Sequence, residues 1–167
     1  MNAILANIHL AVQNRLTAKV PAIKWIDQDL GQLEFYSGKP PVLFPCILLD
    51  IVDVQYTDNS LNSQIATATL EVRLAVTSYD HSAHITPLNR TERALEYYNL
   101  EHLVNQALHG WCDGNYFAPL SRKSSQTEKR EDALRVRPLR YEFAFMDDTA
   151  MPVAYSVVPR PDMENQV

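Results

Sequence analysis

Gln64-Ile65-Ala66-Thr67-Ala68-Thr69-Leu70-Glu71-Val72-Arg73-Leu74-Ala75-Val76-Thr77 is the stretch that decides the fold. Ala66, Ala68, Leu70, Val72, Leu74 and Val76 alternate with Thr67, Thr69, Glu71, Arg73 and Thr77. Side chains on a strand point to opposite faces in turn, so this period of two predicts a strand over 64–79 with one buried and one polar face. Upstream lies Val42-Leu43-Phe44-Pro45-Cys46-Ile47-Leu48-Leu49-Asp50-Ile51-Val52-Asp53-Val54-Gln55-Tyr56-Thr57, which is apolar and rich in β-branched residues. Proline removes a ladder donor, so the regular strand is expected to start at Cys46. The two strands, 46–57 and 64–79, are expected to pair as an antiparallel hairpin through the polar connection 58–63.

Two helices flank this hairpin. Ile4, Leu5, Ile8, Val12 and Leu16 recur at helical spacing over 3–19, and Pro21 stops the pattern. After a loop with His81, His84 and Pro87, a second helix is expected from Asn89, with Glu92 in the capping-box position, to about Trp111. Its apolar face is assigned to Leu95, Leu100, Leu103, Val104, Ala107, Leu108 and Trp111, with Gly110 or Gly114 as the stop. Short strands are expected at 23–27 and 116–120, and a mobile polar loop at 121–132. A last strand is expected over 133–146. Its apolar residues change parity at Pro138, from Leu134 and Val136 to Leu139, Tyr141, Phe143 and Phe145, which predicts a bulge there. The fold class is α+β: a mainly antiparallel sheet with both helices packed on one face. One domain is expected over 1–149, with an extended C-terminal arm over 150–167 marked by Pro152, Pro159 and Pro161.

Composition narrows the function. The 167 residues suit one domain. Fifteen Lys and Arg against twenty Asp and Glu give a net charge of −5, whereas a duplex-wrapping protein carries a basic excess. Four glycines leave little scope for Gly-rich phosphate cradles, since average usage is about 7%. No run approaches the ~18 apolar residues of a membrane span, and residues 1–10 lack the basic start of a secretory signal. Cys46 and Cys112 belong to no CxxC pair, and both are expected to be reduced, buried thiols.

Candidate chemistry is sparse. His81 and His84 lack a third metal ligand beside them. His102 and His109 lack a nucleophile motif. Asp50 and Asp53, three apart on a regular strand, are expected to face opposite ways, and Asp147 and Asp148 read as a turn. No catalytic, cofactor-binding or metal-binding residue is assigned. The exception to this blandness is 121–140, which holds seven of the fifteen basic residues: Arg122, Lys123, Lys129, Arg130, Arg135, Arg137 and Arg140. Arg is enriched at interface cores, so these seven are the candidate oligomer interface. The tract lacks the interleaved aromatics of a single-strand binder.

The order of elements carries a resemblance. An amphipathic helix precedes a Pro-Pro-bounded apolar strand, Pro41-Val42-Leu43-Phe44-Pro45-Cys46-Ile47. A long alternating strand, Ala66 to Val76, is followed by a helix, Thr91 to Trp111, and then by a polar hairpin and a final strand, Leu134 to Phe145. This pattern resembles the tail-terminator and tail-completion proteins of long-tailed bacteriophages, with the related head–tail joining neck proteins. The resemblance implies a non-enzymatic, cofactor-free structural protein of the virion, a homo-oligomeric and hexameric ring that caps the tail tube and meets the head connector. DNA would pass through such a ring without specific binding, and an acidic lumen avoids the phosphate grip of Lys and Arg. A small ligand-binding or enzymatic α+β domain, or an adaptor in the host cytoplasm, is the alternative. The first would need a deep pocket with convergent polar groups.

Overall fold

The computed structural model describes residues 3–77 and 80–151. The elements are α1 (Ile4–Lys19), β1 (Trp25–Gln28), β2 (Cys46–Ser60), β3 (Ser63–Thr77), α2 (Leu88–Leu108), β4 (Ser121–Ser125) and β5 (Leu134–Asp147). They form one five-stranded sheet in the order β1-β2-β3-β5-β4. Both helices pack on one face of it, as the patterning requires. Ile8, Val12 and Leu16 of α1 and Leu100, Val104, Ala107 and Leu108 of α2 meet Ile47, Leu49, the even-numbered apolar residues of β3, and Leu139, Tyr141, Phe143 and Phe145 of β5. The two helices are tied together by Arg15 Nε, which donates to the Ala107 carbonyl at 3.0 Å.

β2 and β3 pair antiparallel from Cys46↔Ala75 to Ser60↔Ser63. The connection is therefore the two-residue turn Leu61-Asn62 rather than 58–63, and the hairpin is longer than the polar residues implied. β1 pairs parallel to β2, from Trp25↔Cys46 to Gln28↔Leu49. The return from β1 is the segment 29–44, which includes Gly31 and Gly38, both at positive φ.

Other expectations fail for identifiable reasons. α2 begins at Leu88 behind Pro87, with no side-chain cap. Pro87 fixes the backbone at the helix start, so Asn89 falls inside the first turn and the capping box does not form. Leu95 and Leu103 lie on the exposed side of α2 and Ala94 takes a buried place. Gly110 does follow the helix at φ 76°. No strand forms over 116–120: residues 114–116 are a turn closed by the Asp113–Phe117 bridge and 118–120 are irregular, while the expected loop 121–132 contains β4. Residues 78 and 79 of the expected third strand, and 152–167 of the expected arm, lie outside the described residues.

β5 runs past Pro138 without a break: its register on β3 is continuous from Gln64↔Asp147 to Thr77↔Leu134, with Pro138 opposite Arg73. No bulge forms there. The Pro138 carbonyl accepts from Gln126 N–H at 3.0 Å, so the ring nitrogen faces the irregular β4 margin and no bond to β3 is lost. The parity change has a different cause, namely a second, smaller core. Leu134 and Val136 join Leu33, Cys46, Leu48 and Ala75 on the face away from the helices, with Val42 and Phe44 against them. The sheet is buried on both faces at one end.

A genuine bulge sits in β2, where the register shifts between Ile51 and Asp53. Asp50 then lies opposite Glu71 and Asp53 opposite Thr69. Paired residues share a face, so both aspartates lie on the face away from the helices, contrary to the expectation for a regular strand.

Candidate assembly surface

The face away from the helices carries a compact charge network. Arg73 projects from the middle of β3. Its Nη1 lies 2.8 Å from Asp29, and its Nη2 2.5 Å from Glu34 and 2.9 Å from Glu128. Arg130 adds 3.1 Å to Glu34, 2.7 Å to Glu128 and 2.6 Å to Asp132, and donates to the Leu33 carbonyl. Tyr36 Oη donates to Asp132 at 3.0 Å. Only 11% of the Arg73 side chain is exposed. Burial works against its charge, yet the hydrogen bonds to Glu34, Asp29 and Glu128 outweigh it and hold the guanidinium firmly protonated. The Arg73 hydrogen bond also holds Glu34 below the usual carboxylate range, and that from Arg130 holds Asp132 at about 2. Two guanidiniums thus fasten four carboxylates from 29–34 and 128–132, and with them both segments, over the smaller core.

The seven basic residues of 121–140 separate into distinct settings. Arg130 belongs to that network. Arg137 faces α2, where its Nε donates to the Glu101 carboxylate at 2.8 Å and its Nη2 to Ser125 at 2.6 Å. Burial works against the Glu101 carboxylate, but the bonds from Arg137 and Ser125 outweigh it and lower its pKa. Arg140 pairs with Glu71 at 2.7 Å and Lys123 with Glu142 at 3.1 Å. Arg135 lies over the Tyr97 ring at 5.2 Å. Arg122, Lys123, Lys129, Arg135 and Arg140 are exposed. The structure therefore does not gather the seven into one patch; β5 sends Arg135 and Arg137 to the helix side and Arg140 to the other.

Around Arg135 and Arg137 an open cleft of about 330 Å³ is also lined by Tyr97, Thr127, Lys129 and Arg130. No nucleophile with a paired base lines it. His81 and His84 lie exposed in their loop. Beside them, Asp80 bridges Arg90 and Arg93, each at 3.0 Å. His102 is exposed, and His109 Nδ1 accepts from Arg122 N–H at 3.1 Å, a structural role. No group of three or more His, Cys, Asp or Glu side chains is placed to hold a metal among the described residues. No helix there is long and apolar enough to cross a membrane. Cys46 is buried, whereas Cys112 is exposed and both are free, which corrects the expectation for Cys112.

Sequence reasoning missed the charge network. Arg73 read as one more polar residue on a wet face. The available signal was the parity change in β5, which places apolar residues on the same face as Arg73.

The molecule is an α+β sandwich whose surface offers ion pairs, exposed arginines and strand edges. No family model matches the sequence, and no curated protein matches it. A solved chain from the "Virion of native gene transfer agent (GTA) particle" has the same fold: the match covers 88% of this chain and 100% of that chain, with a TM-score of 0.53 and 12% identity. At that identity the likeness is one of fold.

Proposed function

We propose that this chain is a structural protein of a phage-like virion, a ring subunit of the tail-terminator type that caps the tail tube and joins it to the head connector. The observation that carries the reading is the fold shared over the full length of a chain from a gene transfer agent virion. The order of elements in the sequence supports the finer assignment. The role is non-enzymatic, with other copies and neighbouring virion proteins as partners and the virion as the location.

Subunits meet head to tail in this reading, the basic tract of 121–140 against an acidic surface of the next copy. Heterologous contacts of this kind close into rings when the rotation permits. Arg122, Lys129 and Arg135 are the members free of an internal ion pair among the described residues, and they supply the contact. Charge complementarity sets register and encounter, with apolar anchors adding affinity. Light scattering and negative-stain imaging of the purified chain test this. Rings are expected at low salt, with a shift toward smaller species at 1 M salt, where screening shortens to about 3 Å. Arg122→Glu combined with Arg135→Glu should give the same shift without change in circular dichroism. An unchanged oligomer in that variant removes this interface. Absence of the chain from purified particles or tails of its source removes the virion role.

A further inference from the structure

A strand edge with nothing on it lies beside an apolar groove. β1 covers β2 only over Cys46–Leu49, and beyond it Asp29 N–H donates to the Leu49 carbonyl at 2.9 Å. From Asp50 to Ser60 the outer edge of β2 has no backbone partner among the described residues. Where β1 stops, a groove of about 430 Å³ opens between the first turns of α1 and β2; Leu5, Ala6, Leu10, Leu49 and Ile51 make its apolar lining, and His9, Gln28 and Asp50 add polar groups. A long bare edge is a template for another strand. Here the line of β1 continues into an apolar trough that would receive alternate side chains of that strand.

We propose that residues 152–158 of a second copy of this chain add to the free edge of β2 as a strand. The segment is Pro152-Val153-Ala154-Tyr155-Ser156-Val157-Val158. It is β-branched and aromatic, it carries no charge, and prolines bound it at 152 and 159. Val153, Tyr155 and Val157 fall on one side at the strand period, matching the trough. The edge carries Asp50, Asp53 and Asp58, which disfavours an acidic strand and suits a neutral one followed by Arg160. Main-chain bonds supply affinity and the alternate side chains specificity in such strand addition.

Geometry favours a second copy over the same chain. The chain leaves the sheet at the end of β5, where Ser63 Oγ donates to Asp148 at 2.5 Å and Met151 N–H to the Asp148 carbonyl at 3.0 Å. From there its own β2 edge lies beyond β3 and β2, three strand spacings away. At about 4.8 Å each, that is ~14 Å, or roughly four extended residues at ~3.3 Å. Most of the segment would be consumed before pairing began. A neighbour's segment arriving in line places all seven residues.

The proposal rests on the ring reading for its second copy, and disulfide trapping separates the two. In a Cys112→Ser background, full-length chains bearing Gln55→Cys are mixed with chains bearing Ser156→Cys and oxidised. The expected result is an intermolecular link at least about tenfold above a control mixture of Gln55→Cys with Thr17→Cys. A chain ending at Met151 should self-associate on the order of tenfold more weakly, about 1.4 kcal/mol. Trapping no better than the control overturns the proposal, even if full-length chains form rings. So does a link that forms only within one chain carrying both cysteines, or one that joins Ser156→Cys to a different virion protein. Rings of unchanged size and affinity from the shortened chain refute the strand exchange and leave the ring reading intact.

Discussion

Replacing Arg73 by methionine would open the charge network while keeping much of the side-chain volume. Asp29 would lose its ion-pair partner, and Glu34 and Glu128 would be left to Arg130 alone. Removing one member of a buried ion pair costs about 3–5 kcal/mol, because the remaining charge stays desolvated. The Arg73 and Asp29 side chains are only 11% and 13% exposed, so that range applies to them. Glu34 and Glu128 are 32% and 30% exposed, so solvent screens them and the total falls toward the lower end, about 3 kcal/mol. For a domain of this size that is a fall in Tm of roughly 6–12 °C at ~2–4 °C per kcal/mol. Urea unfolding of wild type and Arg73→Met should show a lower midpoint with an unchanged slope. The pH dependence has a definite sign. The folded-state pKa of Glu34 is depressed in the wild type, so its contribution is present above the unfolded glutamate value of about 4.3 and is lost as pH falls through the folded value. The variant has already lost the Arg73 part of that contribution. The gap between the two proteins should therefore be full at pH 7 and narrow below about pH 4. A loss under ~1 kcal/mol, the worth of an exposed pair, or a gap that stays constant down to pH 3, would refute the view that this network fastens the 29–34 and 128–132 segments.

Two further outcomes follow from the same structure. Arg137→Met should cost about 3 kcal/mol, the lower end for a broken buried pair, because it leaves the buried Glu101 carboxylate of α2 with Ser125 as its remaining donor, whereas Arg135→Ala, which loses an exposed cation–π contact, should cost no more than ~1 kcal/mol by thermal unfolding. A thiol reagent at pH 8 should label Cys112 rapidly and Cys46 only after denaturation, since burial pushes the Cys46 thiol up to about 12; prompt labelling of both would contradict the packing around Cys46.

Strict alternation over Ala66–Val76 and the two amphipathic helices made the sheet, its hairpin and the helix-covered face legible. The second face was not legible, because its residues come from three places. Leu33 sits in a segment with no periodicity, Cys46 and Leu48 look like ordinary strand core, and Leu134 and Val136 were separated from them by 86 residues or more. The parity change at Pro138 was visible, but a bulge and a change of burying face predict the same sequence pattern. Only the register of β5 on β3 separates them. The β2 bulge went unseen for a related reason: Ile51-Val52-Asp53-Val54 contains enough apolar residues to fit either parity. Among the seven basic residues, Arg135 and Arg137 are two apart on a strand, and that spacing alone puts them on one face. The sequence had no means of locating Glu101, which comes from a helix about 36 residues away and satisfies Arg137 internally.

The two ends of the sheet are built differently, and that difference bears on how copies would meet. At the β1 end, helices cover one face, and the smaller core with the Arg73–Arg130 network covers the other. Past Leu49, β2 has no outer neighbour among the described residues, and Tyr56, Leu61, Ile65 and Met146 are exposed. Leu61, at the tip of the hairpin, is 97% exposed. The chain leaves β5 at this same end, fastened by Ser63 to Asp148. A lone apolar side chain at the surface is ordinary, but here Ile65 and Met146 sit opposite each other on β3 and β5, and Tyr56 lies on the stretch of β2 that has no outer partner among the described residues. The covered end can hold its shape without help, while the hairpin end has edge bonds and apolar surface still to satisfy. Contacts between copies should accordingly order the hairpin end, while the strands of the covered end, already buried on both faces, gain no further protection even where Lys129 and Arg135 meet a neighbour. Hydrogen exchange would read this directly, as protection gained on assembly in 50–65 and none gained in 46–49 or 72–76.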